Sequence, residues 1–436
     1  MSSNLMFAVV FGIALAGFLW SAVMRFRLIA LGQPENRFDR PMRRVWSMLV
    51  FAFAQRRVIR RAFGINHFVL FWCFLILLIA NMEFLLQGLF PDTIALAKLP
   101  EDAHRALAFI FDIVSALALG AVIIALGRRL FFPPPYIEAR SRDALLILSL
   151  VGILMIAFFG LHGAEIAQGI EAAKDAMPVS NAVSGLFSGV SAAGLERWAD
   201  IFWWIHAIVL LAFLNYLPYS KHVHILTAIP NCFFRSLEKV NTQKPEIFER
   251  GRHFGVSQVT DFPWKALLDA FACTECGRCT EACPAAATGK KLNPRRVIHD
   301  IKINLLRSKG KGETQVLIGG DGEGSISEEV LWACTTCGAC MEACPVFIEH
   351  VPRIVDMRRY LVEMEAKVPD QLLTLFENIE QRSNPWGTAP AERTKWAADG
   401  SARSFEPGKT EYLFYIGCAG AFDARARRVT MANAAI

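Results

Sequence analysis

Over the first half of the chain, long apolar stretches alternate with short connections, two of them crowded with arginine. A helix needs about 20 apolar residues to cross a bilayer. Five stretches meet that length: residues 5–24, 67–90, 105–126, 144–168 and 201–217. Two further apolar runs are too short to span. Residues 45–54, flanked by Arg43, Arg44, Arg56 and Arg57, predict a helix lying on the membrane surface. Residues 182–195, rich in small side chains, predict a surface or re-entrant piece. Past Lys221 the pattern becomes mixed, with a polar linker at 239–251 and helical periodicity at 293–306 and 353–380. Between these lies a turn-rich loop, 310–324, and then Ser325-x-x-Glu328, which fits a capping box opening a helix. Residues 383–410 are polar, and a short apolar run at 412–417 ends at Cys418. The predicted architecture is mainly α. A five-helix transmembrane bundle (1–230) and a linker (231–263) precede a helical domain (264–382) and the opening of a further module (383–436).

The connections orient the bundle. Residues 25–66 hold ten arginines (Arg25, Arg27, Arg37, Arg40, Arg43, Arg44, Arg56, Arg57, Arg60 and Arg61) and no lysine. The third connection adds Arg128, Arg129, Arg140 and Arg142, whereas the other two offer only Lys98, Lys174 and Arg197. Basic loops stay on the cytoplasmic side, so the expectation is an N-terminus outside and a soluble half inside. The first apolar stretch has no basic region before it, which predicts a retained anchor. A hydrophobic fraction of 54% and a mean hydropathy of +0.34 fit a chain that is half membrane. The net charge of +6 does not suggest nucleic-acid binding, because outside the loops the basic residues gather only at Lys290, Lys291, Arg295 and Arg296.

Eight of the eleven cysteines form two runs, Cys273-x2-Cys276-x2-Cys279-x3-Cys283-Pro284 and Cys334-x2-Cys337-x2-Cys340-x3-Cys344-Pro345. This is the ligand spacing of bacterial [4Fe–4S] ferredoxins, in which the fourth cysteine of each run serves the other cluster. The expectation is one cluster on Cys273, Cys276, Cys279 and Cys344, and a second on Cys334, Cys337, Cys340 and Cys283. Structural zinc sites show paired CxxC elements instead. Thiolate-held clusters suit a reducing compartment, which again points the soluble half to the cytoplasm. The roughly fifty residues between the runs suit a helical dicluster module better than a compact βαβ ferredoxin.

Six of nine histidines lie in or beside the apolar stretches: His67, His104, His162, His206, His222 and His224. An ionisable residue in a spanning helix is a functional hypothesis, and two imidazoles from facing helices would hold haem b. His206 and His224 are eighteen residues apart, five turns of one helix face and a rise of roughly 27 Å, unless Pro218 bends the helix. The expected pairs are His67 with His224, or His222 in its place, at the cytoplasmic edge, and His206 with His162 near the outer face. His104 sits too close to a helix end to be first choice. Asp112, Glu83 and Glu165 are candidate proton carriers.

These features resemble a known family. The bundle is similar to the gamma-type cytochrome b of nitrate reductases. Its fusion to two [4Fe–4S] runs resembles membrane-bound heterodisulfide-reductase-like oxidoreductases, closest to bacterial electron-transfer-flavoprotein:menaquinone oxidoreductases. The resemblance rests on Phe213–His224 (FLNYLPYSKHVH), Leu331–Cys340 (LWACTTCGAC), Asn384-Pro-Trp-Gly387 and Tyr415–Gly420 (YIGCAG). It implies electron flow from electron-transfer flavoprotein through both clusters and one or two haems b to a membrane quinone, in a bacterial cell membrane. The last motif resembles the opening of a cysteine-rich CCG domain that carries a further iron–sulfur centre. Here Cys418 is its sole cysteine, an incomplete ligand set. The alternatives are a heterodisulfide-reductase-like or hydroxy-acid-dehydrogenase-linked subunit, and a non-catalytic membrane anchor and conduit.

Overall fold

The computed structural model describes residues 3–91, 98–133, 141–249, 253–308, 315–320, 322–398 and 405–436. Arg140, residues 250–251 of the expected linker and residues 310–314 and 321 of the expected loop lie outside them. The described chain is helical, and its only β pairings are two isolated bridges, Gln33 with Pro263 and Ile318 with Ile326. It divides into two compact units, Met1–Arg358 and Arg359–Ile436.

The first unit opens with α1 (Ser3–Ile29) and the short α2 (Pro41–Met48), which runs into a π-turn at Leu49–Phe53. Then come α3 (Ala62–Leu89), α4 (Glu101–Phe131), α5 (Arg142–Gln168), α6 (Pro178–Ser184) and α7 (Ala192–Tyr216). Five of these, α1, α3, α4, α5 and α7, are long and apolar enough to cross a membrane. Only 11% of the apolar window of α1 and α3 is buried, against 44% in α5, so α5 sits at the centre and α1 and α3 turn apolar surface outward. Such exposure is costly in water and costless in lipid. The protein is a multi-pass membrane protein.

The expected surface or re-entrant piece, 182–195, is not one element: its first residues close α6, Gly185–Phe187 form a 3₁₀ turn and Ala192–Leu195 open α7. The cause of α6 was not visible locally. Asp112 of α4 is fully buried and caps α6 from 67 residues away. Its carboxylate accepts from Val179 N at 2.7 Å, Ser180 N at 3.0 Å and Ser180 Oγ at 2.6 Å. These bonds satisfy orphan N–H groups of the α6 first turn.

The expected register of His206 and His224 on one helix face does not hold. The helix α7 ends at Tyr216, and the chain passes through 3₁₀ turns at Leu217–Tyr219 and Lys221–Val223 before α8 (His224–Phe233). Pro218 is the cause: it lacks an N–H, and its ring would strike the carbonyl four residues back.

The cysteine region follows as α9 (Trp264–Ala272), α10 (Arg278–Glu281), α11 (Pro284–Ala287), α12 (Pro294–Ser308), α13 (Glu328–Trp332), α14 (Ala339–Ala343) and α15 (His350–Arg359). The cap of α13 is Ser327, not Ser325. Ser327 Oγ accepts from Val330 N, while Ser325 Oγ is drawn into the preceding loop by Gly320 N at 2.9 Å.

The arginines of residues 25–66 hold this region against the bundle. Arg37 makes a bidentate pair with Glu349, both bonds at 2.9 Å. Arg57 donates to Met341 O at 3.2 Å and Cys344 O at 3.0 Å, and lies 4.0 Å over the Phe347 ring. Arg61 pairs with Glu281 at 2.9 Å. The residues expected to lie on the membrane surface pack one side against this seam, with Phe51 edge-on to Phe347 at 4.7 Å, while Met42, Trp46 and Leu49 remain exposed. Beneath them Lys265 and Asp269, both fully buried, pair at 2.6 Å. Arg353 lies 3.2 Å from Glu349 and 3.5 Å from Asp269.

The second unit holds α16 (Asp370–Arg382), α17 (Cys418–Phe422) and α18 (Ala424–Ala435). The helical period expected over 353–380 is interrupted after a π-turn at Tyr360–Met364, because Pro369 restarts the helix. Asn384 is buried and ties its turn together, accepting from Trp386 N and Thr388 N at 3.2 and 3.1 Å.

Candidate functional site

The two cysteine runs share one local backbone. In each, the residue before the second cysteine has a left-handed φ, 54° at Glu275 and 54° at Thr336. In each, a left-handed glycine follows that cysteine, Gly277 at 76° and Gly338 at 78°. Glycine takes this conformation freely, while another residue there costs about 1 kcal/mol. The repeated strain folds three cysteines around one point and turns backbone N–H groups toward sulfur. Thr336 N lies 3.4 Å from Cys334 Sγ, and Ile348 N lies 3.3 Å from Cys344 Sγ.

The runs also interleave. Cys283 from the first run lines one small pocket with Cys334, Cys337 and Cys340 of the second. Cys344, from the second run, is raised well above the ordinary thiol range by burial and by its neighbours Cys276, Cys279 and Cys273, against a lowering hydrogen bond from Ile348. Burial likewise pushes Cys273 and Cys340 up to about 12. Thiols so desolvated keep their protons at neutral pH unless a metal replaces them.

The donor set suits a cube better than a single ion. Among the described residues, the only His, Cys, Asp or Glu group with ligand atoms all within 4.8 Å of one another is His162, Glu165 and Glu171. No three cysteine thiols therefore lie mutually that close, whereas zinc–sulfur bonds of about 2.3 Å would hold the sulfurs of one zinc roughly 3.8 Å apart.

Below the first run three imidazoles meet. The His67 and His224 rings are 6.5 Å apart, and the His222 ring is 5.3 Å from that of His224. His67 Nδ1 bonds Gln55 Oε1 at 3.1 Å, and His224 Nδ1 bonds Lys221 O at 2.9 Å. Both rings are thus oriented through Nδ1, the pattern of imidazoles that bind metal through Nε2. Two imidazoles on opposite sides of one metal, at bonds of about 2.0 Å, hold their ring centres roughly 6 Å apart. His222 Nδ1 is buried with no hydrogen-bond partner among the described residues. The residues present fit a haem iron at this point.

The outer pair is differently placed. His206 and His162 line one cavity between α3, α4, α5 and α7 that encloses, with its open mouth, about 1440 Å³. His206 Nε2 is held by Asn81 Oδ1 at 2.9 Å, and His162 Nδ1 by Glu171 at 3.2 Å and Glu165 at 3.3 Å. Glu83 and His104 line the same cavity, as does Ser115, whose buried hydroxyl has no hydrogen-bond partner among the described residues. Of the candidate proton carriers, Glu83 and Glu165 therefore meet this space, while Asp112 is committed to capping α6. Cys418 opens α17, where Arg393 Nη2 reaches its sulfur at 3.4 Å.

Sequence reasoning passed over Gln55, Lys221, Glu275 and Arg278. The last donates to Arg57 O at 3.0 Å and Val58 O at 3.2 Å, laying the first run on the turn that opens α3. Gly64 makes that turn possible: a Cβ there would meet Val58 O at 1.9 Å. Positions inside a CxxC element were the available signal, since Glu275 and Arg278 both lie among the ligands.

Residues 265–345 match the family model described as a 4Fe-4S dicluster domain. The chain is 34% identical to EtfAB:quinone oxidoreductase of Syntrophomonas wolfei over 92% of its own length and 61% of that protein. It is 31% identical to a probable iron–sulfur-binding oxidoreductase, FadF, of Bacillus subtilis over 99% of its own length and 67% of that protein. A shorter match, 36% identity over 24% of this chain and 53% of the relative, joins it to a component of the ferredoxin:CoB-CoM heterodisulfide reductase of Methanosarcina mazei. The chain thus spans about three-fifths to two-thirds of the two longer relatives. No solved structure matches it. With the dicluster domain, the five spans and near full-length similarity to FadF together, the chain belongs to the family of membrane-bound iron–sulfur oxidoreductases that includes that Bacillus protein.

Proposed function

We propose that this chain carries electrons between a cytoplasmic flavoprotein and a membrane quinone. Cys273, Cys276, Cys279 and Cys344 hold a near [4Fe–4S] cluster, and Cys334, Cys337, Cys340 and Cys283 hold a far one. His67 with His224, or His222 in its place, holds haem b beneath the near cluster. The N-terminus lies outside, and the cysteine region lies on the cytoplasmic side. When bound, these groups supply one-electron chemistry; the chain's own residues set their spacing, burial and order.

One observation carries the reading: the first run is bolted directly onto the turn and helix that bear His67, by Arg278 to Arg57 O and Val58 O, and Arg57 also reaches the carbonyl of Cys344, the second-run cysteine assigned to the near cluster. Electron-transfer flavoprotein as donor and quinone as acceptor are carried over from the name of the Syntrophomonas relative. The outer cavity supports the acceptor end, with Glu83 and Glu165 as proton carriers beside it. It also holds the second haem position, on His206 and His162, which requires Asn81, Glu165 and Glu171 to release those rings. Cys418 serves a further iron–sulfur centre when a complete CCG domain is present.

The test is a pyridine haemochrome assay on purified protein, followed by mixing with reduced electron-transfer flavoprotein. The expected result is haem b that is lost in His67→Ala and His224→Ala and is reduced by the flavoprotein in the unmodified protein. Protein without haem rejects the path. Haem that the flavoprotein leaves oxidised rejects the donor. The Methanosarcina match over 24% of the chain supports a second reading, a heterodisulfide-reductase-like subunit passing electrons to a partner's active site.

A further inference from the structure

Lys221 occupies an unusual junction. Its backbone carbonyl takes the hydrogen bond that orients His224, at 2.9 Å. Its backbone N–H is fixed by Asp143 Oδ2 at 2.8 Å, and the other oxygen of that carboxylate is held by Tyr216 at 2.6 Å. Its ammonium leaves the bundle and meets Glu275 at 3.0 Å. Glu275 sits between Cys273 and Cys276, is buried, and gives its second oxygen to Lys302 at 3.1 Å. One residue thus joins the imidazole of His224 to the loop that carries two cysteines of the near run.

The second run shows that the carboxylate is not needed to fold such a loop. The matching position is Thr336, with the same left-handed φ of 54° and a neutral side chain. The turn itself therefore does not dictate a carboxylate at 275, where the side chain instead meets Lys221 and Lys302. The carboxylate offsets the cations Lys221, Lys302 and Arg295 beside the first run, and its tie to Lys221 links that loop to the residue whose carbonyl orients His224. Charge near a cluster is one of the levers on its potential.

We propose that Lys221 and Glu275 are a matched positioning pair, coupling the near cluster to the His224 haem ligand and tuning the step between them. The proposal rests on the electron path above.

The test compares Glu275→Thr, which copies the second run, with Lys221→Met and Lys221→Arg in the full chain. Cluster content and midpoint potential are read by electron paramagnetic resonance during redox titration. Haem content is read by pyridine haemochrome, and haem reduction by stopped flow after mixing with reduced methyl viologen. The expected result is full cofactor content in all variants, a raised near-cluster potential in Glu275→Thr, and haem reduction slowed about tenfold or more in Glu275→Thr and Lys221→Met. Lys221→Arg restores the rate. Variants with full cofactors, unchanged potentials and unchanged rates would leave the pair merely structural and overturn the proposal. Variants that lose a cluster or the haem overturn it too, because they show an element needed for assembly instead of tuning. Absence of haem from the unmodified protein overturns the path beneath it, and is told apart because no variant is needed to see it.

Discussion

The two cysteine runs are nearly the same object placed in two different surroundings. Both have the Cys-x2-Cys-x2-Cys spacing, the same pair of left-handed residues and a closing Cys-Pro. The first run meets the bundle through Lys221 on Glu275 and through Arg278 on the Arg57 and Val58 carbonyls of the turn before α3. The second meets that turn at its closing end, where Arg57 reaches Met341 O and Cys344 O, and its Cys337 is exposed. Local spacing therefore specifies that a cluster is built, while the surroundings specify its place in a path. On the path proposed above, a cluster next to the membrane histidines passes electrons on, and one with an exposed edge receives them.

The hardest test of this difference is to remove single ligands. Cys344→Ser should erase the same paramagnetic signal as Cys276→Ser, and Cys283→Ser the same signal as Cys337→Ser, each with loss of about half the cluster iron. If Cys344→Ser instead matches Cys337→Ser, the runs do not cross, and the near and far assignments fall with them. The next largest effect concerns the ion network beneath the near run. Lys265→Met leaves Asp269 and Glu349 facing each other with one fewer cation in a site closed to water. Breaking a buried pair from one side costs about 3–5 kcal/mol. We expect the near-cluster absorbance to vanish at a markedly lower guanidinium concentration than in the unmodified protein. Loss of the far cluster first would mean that the network does not support the near run preferentially.

How much of this was legible differs by range. The five spans were readable because hydropathy is a local property, although the observed helices extend past the apolar cores, as in Glu101–Phe131 against an expected 105–126. The break after Tyr216 was signalled by Pro218 but not its outcome, since only the 3₁₀ turns show where His224 points. The loop arginines supported a topology argument, yet sequence could not reveal that Arg37 and Arg57 also reach Glu349 and Cys344 O across some three hundred residues. A surface loop and a docking seam carry the same letters. Asp112 posed the same difficulty: an acid in an apolar helix reads as a proton carrier until the helix it caps is seen. Ser325 and Ser327 offer two competing caps, and the hydrogen bond from Gly320 decides between them.

The smallest effect, and the one that separates the two runs by a solution condition, is acid sensitivity. Burial alone would raise the Glu349 carboxyl, but Lys265, Arg353 and Arg37 hold it well below the usual carboxylate range. A carboxylate depressed in the folded protein stabilises that fold fully above its unfolded pKa of about 4.3 and progressively less as pH falls toward its folded value. The loss per group is at most about 1.4 kcal/mol for each pH unit in that window. Glu349→Gln removes the titrating group. The variant should be weaker than the unmodified protein near neutral pH, because Arg37 and Arg353 lose a charged partner, and its stability should then fall less steeply below about pH 4.3. Parallel acid profiles for the two proteins would show that Glu349 does not carry the titration. A flattened profile would tie the acid sensitivity of the near run to the same buried charges that distinguish it from the far one.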